Sequence, residues 1–140
     1  LAGLRLGYAL CSSQEIANAL RLATSTFNLS GIAEAAAIAA FEDKSYTQFI
    51  LEENSREMSR IKKGCQDLGL AYMDSVTNFI SIDTGVESGP VVRALRDRGV
   101  RVSTPGYDAT GTYIRASTGL PEDTDAFLSA LEDVLARQSD

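Results

Sequence analysis

Two arginines are the residues of this sequence best suited to bind anions. Arg5 lies in the opening segment LAGLRLGY, and Arg115 lies in the segment TYIRASTG, each among apolar residues and glycines. An arginine side chain is always charged, and its planar fork of donors matches two oxygens of a carboxylate or a phosphate. The pair therefore indicates a protein that holds the two anionic ends of a bound compound.

The composition argues against several other kinds of chemistry. The 140 residues include no histidine, which removes histidine-based triads, most zinc sites and the usual general base near neutral pH. The net charge of −6 disfavours general nucleic-acid binding, which needs a basic face. No apolar run approaches the roughly 20 residues of a membrane span. We therefore expect no metal ion, no nucleic acid and no membrane as a partner.

The two cysteines indicate the cellular compartment of the protein rather than a metal-binding or redox site. Cys11 and Cys65 lack the close spacing of a metal-binding or redox motif. This pattern favours two buried free thiols in a reducing compartment, because a free cysteine packs as a small apolar residue. We expect a cytoplasmic protein.

The first half of the sequence is predicted to contain one strand and three helices. The strand covers residues 5–11, and the helices run from a cap at Ser12 to Ala23, over residues 32–41 and over residues 44–68. Ser12 and Glu15 have the spacing of a capping box, Ser30 is the expected cap of the alanine-rich second helix, and Gly69 is a fitting end for the third.

The second half alternates strands and helices. Strands are predicted over residues 78–83, 100–103 and 112–117, and helices over residues 90–98 and 121–137. Residues 104–111 are rich in turn formers and carry Tyr107 as a surface aromatic residue. Residues 70–140 thus predict a compact α+β layer of helices on a small sheet, to which residues 1–28 do not naturally belong.

These segments together resemble the fold-type I pyridoxal-phosphate aminotransferases of class I/II, and most closely the histidinol-phosphate aminotransferase group. LAGLRLGY resembles the stretch that follows the Schiff-base lysine in that group. The later matches keep the order of the family: FNLS at 27–30, NF at 78–79, GVRV at 99–102 and IRASTGLPED at 114–123. The likeness spans essentially the whole chain.

The resemblance implies an α/β fold with an α+β small domain. The chain would be the C-terminal part of a fold-type I transferase, with helices packed on a small mixed sheet. Residues 1–28 would be a remnant of the large cofactor-binding domain, residues 29–69 connecting helices, and residues 70–140 the small domain.

The resemblance also implies an enzyme, with roles for three residues. The reaction would move an amino group between an amino acid, or an amino-acid-like phosphate, and a 2-oxo acid, with pyridoxal 5'-phosphate as cofactor in a homodimer. Arg5 would bind the cofactor phosphate, and Arg115 would bind the substrate α-carboxylate. Asn78 would be a further substrate contact, with a strand-edge hydrogen bond as its alternative. The alternatives for the arginines are a surface ion pair for Arg5 and a cross-strand salt bridge for Arg115.

Two departures from the family limit this interpretation. The Schiff-base lysine would lie upstream of Leu1, so we expect no catalytic residue in this chain and no activity of the chain by itself. Ser103 stands where many members carry an arginine, which puts recognition of a phosphate-bearing substrate in doubt. The open alternatives are a decarboxylase of the threonine-phosphate type, and a non-catalytic module for small-ligand binding or dimerisation.

Overall fold

The computed structural model describes residues 2–106 and 108–137, so the predicted surface position of Tyr107 lies outside the described residues. The chain divides into a first unit, Leu1–Phe49, and a second unit, Ile50–Asp140. After a 3-10 turn at Ala2–Leu4, the elements are α1 Gln14–Ala23, α2 Gly31–Glu42, α3 Lys44–Asp67, β1 Tyr72–Met73, β2 Phe79–Asp83, α4 Ser88–Asp97, β3 Tyr113–Ser117 and α5 Pro121–Ala136.

Serine caps begin both helices that lie wholly in the first unit. The Ser30 hydroxyl accepts a hydrogen bond from the Ala33 N–H at 3.1 Å, as the sequence predicts. The cap of α1 is Ser13, whose hydroxyl accepts from the Ile16 N–H at 3.3 Å, so the predicted cap at Ser12 is wrong by one residue.

The predicted strand over residues 5–11 is not formed. These residues have no strand assignment, and the described part of the first unit contains no second strand with which they could pair. A strand is stable only when a neighbouring strand takes up its backbone donors and acceptors. Residues 5–11 therefore have the apolar sequence of a strand but do not form one here.

The second unit is built around a three-stranded sheet in the order β1-β2-β3. Both pairings are antiparallel, so the sheet is antiparallel rather than mixed. One face of the sheet contributes four buried side chains to the core: Ile80, Ile82, Ile114 and Ala116. Residues of α3, α4 and α5 complete this core, with Ile61, Leu95 and Leu131 fully buried.

The remaining elements follow the prediction with two exceptions. Gly69 and Gly99 end their helices with φ of +68° and +82°, a conformation that glycine adopts without strain. The short strand β1 was not predicted. The predicted strand over residues 100–103 is reduced to a single bridge between Ser103 and Arg115.

Among the described residues, no helix is long and apolar enough to cross a membrane. Nor does this part of the chain gather three or more metal-binding side chains into a group that could hold an ion.

Candidate functional site

The backbone of Arg115 is held from both sides. Within the sheet Arg115 is the antiparallel partner of Ser81 in β2. On the other edge its N–H donates to the Ser103 carbonyl at 2.6 Å, and its own carbonyl accepts from the Ser103 N–H at 3.1 Å. Its neighbours Ile114 and Ala116 are buried in the core, and side chains alternate along a strand. The exposed side chain of Arg115 therefore projects from the opposite face of the sheet.

The Arg115 guanidinium lies against an aromatic ring. Its Cζ is 3.9 Å from the centroid of the Phe79 ring, which belongs to the neighbouring strand β2. Within residues 50–106 and 108–137, no carboxylate forms an ion pair with this guanidinium. The cross-strand salt bridge considered as the alternative for Arg115 is thus not formed in the described part of the second unit.

A single carboxylate organises the loop that leads into β3. Asp108 Oδ1 accepts from the N–H groups of Thr110 and Gly111, each at 3.0 Å, and from the Thr110 hydroxyl at 2.7 Å. Its Oδ2 accepts from the Tyr113 N–H at 2.8 Å. The Thr110 hydroxyl first, and then these backbone donors, hold the pKa of Asp108 below its ordinary value. The loop preceding Arg115 is therefore ordered by an ionised side chain, whose sequence signal is an aspartate two residues before a threonine.

The segment after β3 is tied to the strand beside it. The Thr118 N–H donates to the Asn78 carbonyl at 2.9 Å, and the Thr118 hydroxyl donates to Asn54 Oδ1 at 2.7 Å. The Leu120 N–H donates to Asp123 Oδ2 at 2.9 Å, which fixes the start of α5. Asn78 lies just outside β2 with an exposed side chain, and its backbone carbonyl makes a strand-end hydrogen bond. Its predicted substrate contact stays a prediction.

Arg5 is described within the first unit. The residue is exposed, follows the 3-10 turn directly and has a φ of +54°. A residue other than glycine seldom adopts this left-handed conformation, which costs of the order of 1 kcal/mol or more. Apart from the adjacent residues of the chain, no described residue has an atom within 4 Å of the position that a side-chain carbon would take at Gly3 or Gly7. The backbone on either side of Arg5, at Gly3 and at Gly7, is therefore not covered by other parts of the first unit.

The cysteines match their prediction in part. Both are free; Cys65 is fully buried, but Cys11 is only half-buried. Burial raises the pKa of the Cys65 thiol to about 11.

Comparison with known proteins identifies the family. The profile of the family described as aminotransferase class I and II matches residues 1–131. The chain belongs to this family. The family implied by the sequence resemblance is thereby confirmed.

One curated member of this family illustrates both the similarity and its extent. The chain is 41% identical over 136 residues to histidinol-phosphate aminotransferase 2 of Pseudomonas aeruginosa. That match covers 97% of this chain but 37% of the relative, so the chain spans little more than a third of its length.

Two solved structures share the fold. Histidinol-phosphate aminotransferase from Sinorhizobium meliloti, in complex with pyridoxal-5'-phosphate, matches with a TM-score of 0.75 and 34% identity, over 99% of this chain and 38% of that one. A decarboxylase from Sulfurospirillum multivorans matches with a TM-score of 0.70 and 26% identity, over 96% of this chain and 40% of that one.

Proposed function

We propose that the full-length protein is a pyridoxal-phosphate-dependent aminotransferase, which moves an amino group between an amino acid, or an amino-acid-like phosphate, and a 2-oxo acid. Membership of the aminotransferase class I and II family supports this reaction. The observation that carries the proposal for this chain is the Arg115 guanidinium, which is exposed, fixed at its backbone and not paired with a carboxylate of the described second unit. A substrate α-carboxylate suits such a donor.

The residues around Arg5 fit the phosphate end of the cofactor. The guanidinium of Arg5 is an exposed cation, and the backbone at Gly3 and Gly7 is open enough for a bulky anion to approach. In this proposal Arg5 holds the phosphate by charge-assisted hydrogen bonds and takes no part in proton transfer. When bound, pyridoxal phosphate supplies the electron sink that makes amino-group exchange possible.

Arg115 contributes binding and orientation. An arginine stays protonated throughout the pH range of enzymes, so it acts as neither acid nor base. Holding the carboxylate at two points fixes the substrate relative to the cofactor, and such positioning accounts for a large part of many rate enhancements. Asn78, at the end of β2, is proposed as a weaker contact to the same substrate.

The proposal is tested with the full-length protein, assayed with a panel of amino acids and 2-oxoglutarate. Arg115→Ala should lower kcat/KM for the best donor roughly 30-fold or more, and Arg115→Lys should do nearly as much because an ammonium cannot reproduce the fork. Cofactor absorbance should be unchanged, since in this proposal Arg5, and not Arg115, holds the cofactor phosphate. Arg96→Ala is the matched control, because it removes an exposed arginine of α4 and so changes the net charge by the same amount. Values for Arg115→Ala within twofold of wild type would refute the carboxylate site.

A second candidate is a decarboxylase of the threonine-phosphate type. The structural match to the Sulfurospirillum multivorans decarboxylase favours keeping this candidate. Arg115 would bind the substrate in either reaction, so the products decide between them: carbon dioxide and an amine for the decarboxylase, a 2-oxo acid for the aminotransferase. The family match speaks against a non-catalytic binding or dimerisation module.

We further propose the domain division, assembly and location that the sequence suggests. Residues 1–28 would belong to the cofactor-binding domain, residues 29–69 would be connecting helices, and residues 70–140 would form the small domain. Limited proteolysis of the full-length protein would test this division.

The side chains of three apolar residues are almost fully exposed: Leu10, Leu22 and Phe27, at 92%, 88% and 97% of full exposure. This exposure supports an interface that covers them, and a homodimer would supply one. Two free thiols support a reducing, cytoplasmic setting.

A further inference from the structure

The contact between Arg115 and Phe79 joins two adjacent strands of the sheet. Phe79 pairs with Ser117 and Arg115 pairs with Ser81, so the two side chains are diagonal neighbours on the same pair of strands. The ring of Phe79 is half-buried, whereas the arginine is exposed. The Arg115 Cζ lies over this ring at 3.9 Å from its centroid, well inside the range in which a cation is attracted to the face of an aromatic ring.

Such a contact restricts the guanidinium without using its donors. An arginine side chain has several rotatable bonds, and confining it at the moment of binding costs conformational entropy. At 3.9 Å from Cζ, the centre of the ring lies against the cation and limits the positions that the side chain can take. The N–H groups point outward in the plane of the guanidinium, where a carboxylate binds in the two-point arrangement. The ring thus confines the cation before the substrate arrives and leaves its donors available.

We propose that Phe79 is the positioning residue of the carboxylate site, and that it holds the Arg115 fork in its binding orientation. This inference rests on the proposed function of Arg115. Phe79 itself touches neither the substrate carboxylate nor the cofactor in this scheme; it acts through Arg115. In Phe79 variants Arg115 is still present and can still orient a bound substrate, so loss of the ring should raise KM more than it lowers kcat.

The test uses the full-length protein and changes only the ring. Phe79→Leu and Phe79→Met both keep an apolar side chain but lose the aromatic face, and the unbranched methionine packs differently if leucine disturbs folding. Each should raise KM for the amino-acid donor about 3- to 30-fold, in line with the usual strength of a cation–π contact, with kcat within about twofold. Phe79→Tyr keeps the ring and should stay near wild type.

A double substitution separates positioning from a general structural role. With Arg115→Ala in place there is no guanidinium to position, so adding Phe79→Leu should change kcat/KM by less than twofold. An equal loss with and without Arg115 would overturn the proposal, and so would wild-type KM values for both Phe79→Leu and Phe79→Met in a protein whose Arg115→Ala variant is impaired. If Arg115→Ala itself has no effect, the carboxylate site fails first, and the role of Phe79 fails with it.

Discussion

A methyl group added at Gly64 tests how closely α3 packs against α5. A Cβ at this position would lie 2.5 and 2.9 Å from the two Cδ atoms of Leu128 and 3.2 Å from its Cγ. Ordinary van der Waals contacts of this kind begin near 3.4 Å, so the nearer Cδ of Leu128 must move by about 0.9 Å to admit the methyl group. Leu128 is partly buried against the core, so its movement disturbs the packing around it.

Two opposing effects set the magnitude for Gly64→Ala. In a helix interior, alanine is favoured over glycine by about 1 kcal/mol. Overpacking of a well-filled interface typically costs about 1–3 kcal/mol. The net expectation is a loss of about 1 kcal/mol in the free energy of unfolding. In the background of Leu128→Ala, the clash disappears and the same Gly64→Ala change should stabilise the chain by about 1 kcal/mol.

The measurement is urea unfolding followed by circular dichroism. The wild-type chain, Gly64→Ala, Leu128→Ala and the double variant are compared, provided that the dependence of the unfolding free energy on urea concentration has the same slope in all four. Gly89→Ala is the matched control, because a Cβ there meets its nearest atoms at 3.5 and 3.6 Å, an ordinary contact. The decisive result is the change of sign between the two backgrounds. If Gly64→Ala shifts stability equally in the wild-type chain and in the Leu128→Ala variant, close packing is not what requires glycine in α3.

Three further predictions concern thiols, pH and substrate choice. At pH 8 the native chain should expose one rapidly reacting thiol, Cys11, because burial raises the pKa of Cys65 to about 11, and both thiols should react after unfolding; two fast thiols in the native chain would contradict this. The folded-state pKa of Asp108 lies below 3.8, so its stabilising effect is complete above that pH and is lost as the pH falls through the folded value. Asp108→Asn should therefore lower stability near pH 6, with the difference from wild type shrinking below pH 3.8; a pH-independent difference in urea midpoints would argue against this role. In the full-length protein, Ser103→Arg should place a second cation beside Arg115. The ratio of kcat/KM for histidinol phosphate to that for donors without phosphate should then rise by about tenfold, whereas Ser103→Ala should leave it unchanged. An unchanged ratio in Ser103→Arg would count against the role assigned to position 103.

Features set by neighbouring residues were predicted well from the sequence. The Ser30 cap, the helix-ending glycines at 69 and 99, and Pro121 at the start of α5 all stand where their residue types indicate. Each depends on φ or on a hydrogen bond within about four residues, so the necessary partners are adjacent in the sequence. The ordered series of family motifs likewise identified the family without any knowledge of the contacts.

Features that need a distant partner were decided by the tertiary structure. Residues 5–11 have the apolar character of a strand but no partner strand in the described first unit, and β1 exists because its two residues pair with β2. The position of Glu57 is a further example: a glutamate usually lies at the surface, yet the side chain of Glu57 is fully buried and paired with Arg60 at 2.7 Å. Periodicity identifies a face of a helix but does not say which face the rest of the chain covers.

The candidate site combines both kinds of information. The sequence pointed to Arg115 because its residue type and its motif suit a carboxylate. Only the register of β2 against β3 brings Phe79 beneath its guanidinium, and only the bridge to Ser103 fixes its backbone from the other side. A shift of one residue in that register would turn the arginine to the core face, because side chains alternate along a strand. The residue type of Arg115 therefore determines which ligand the site can bind. The orientation of its side chain is determined by contacts between segments that are far apart in the sequence.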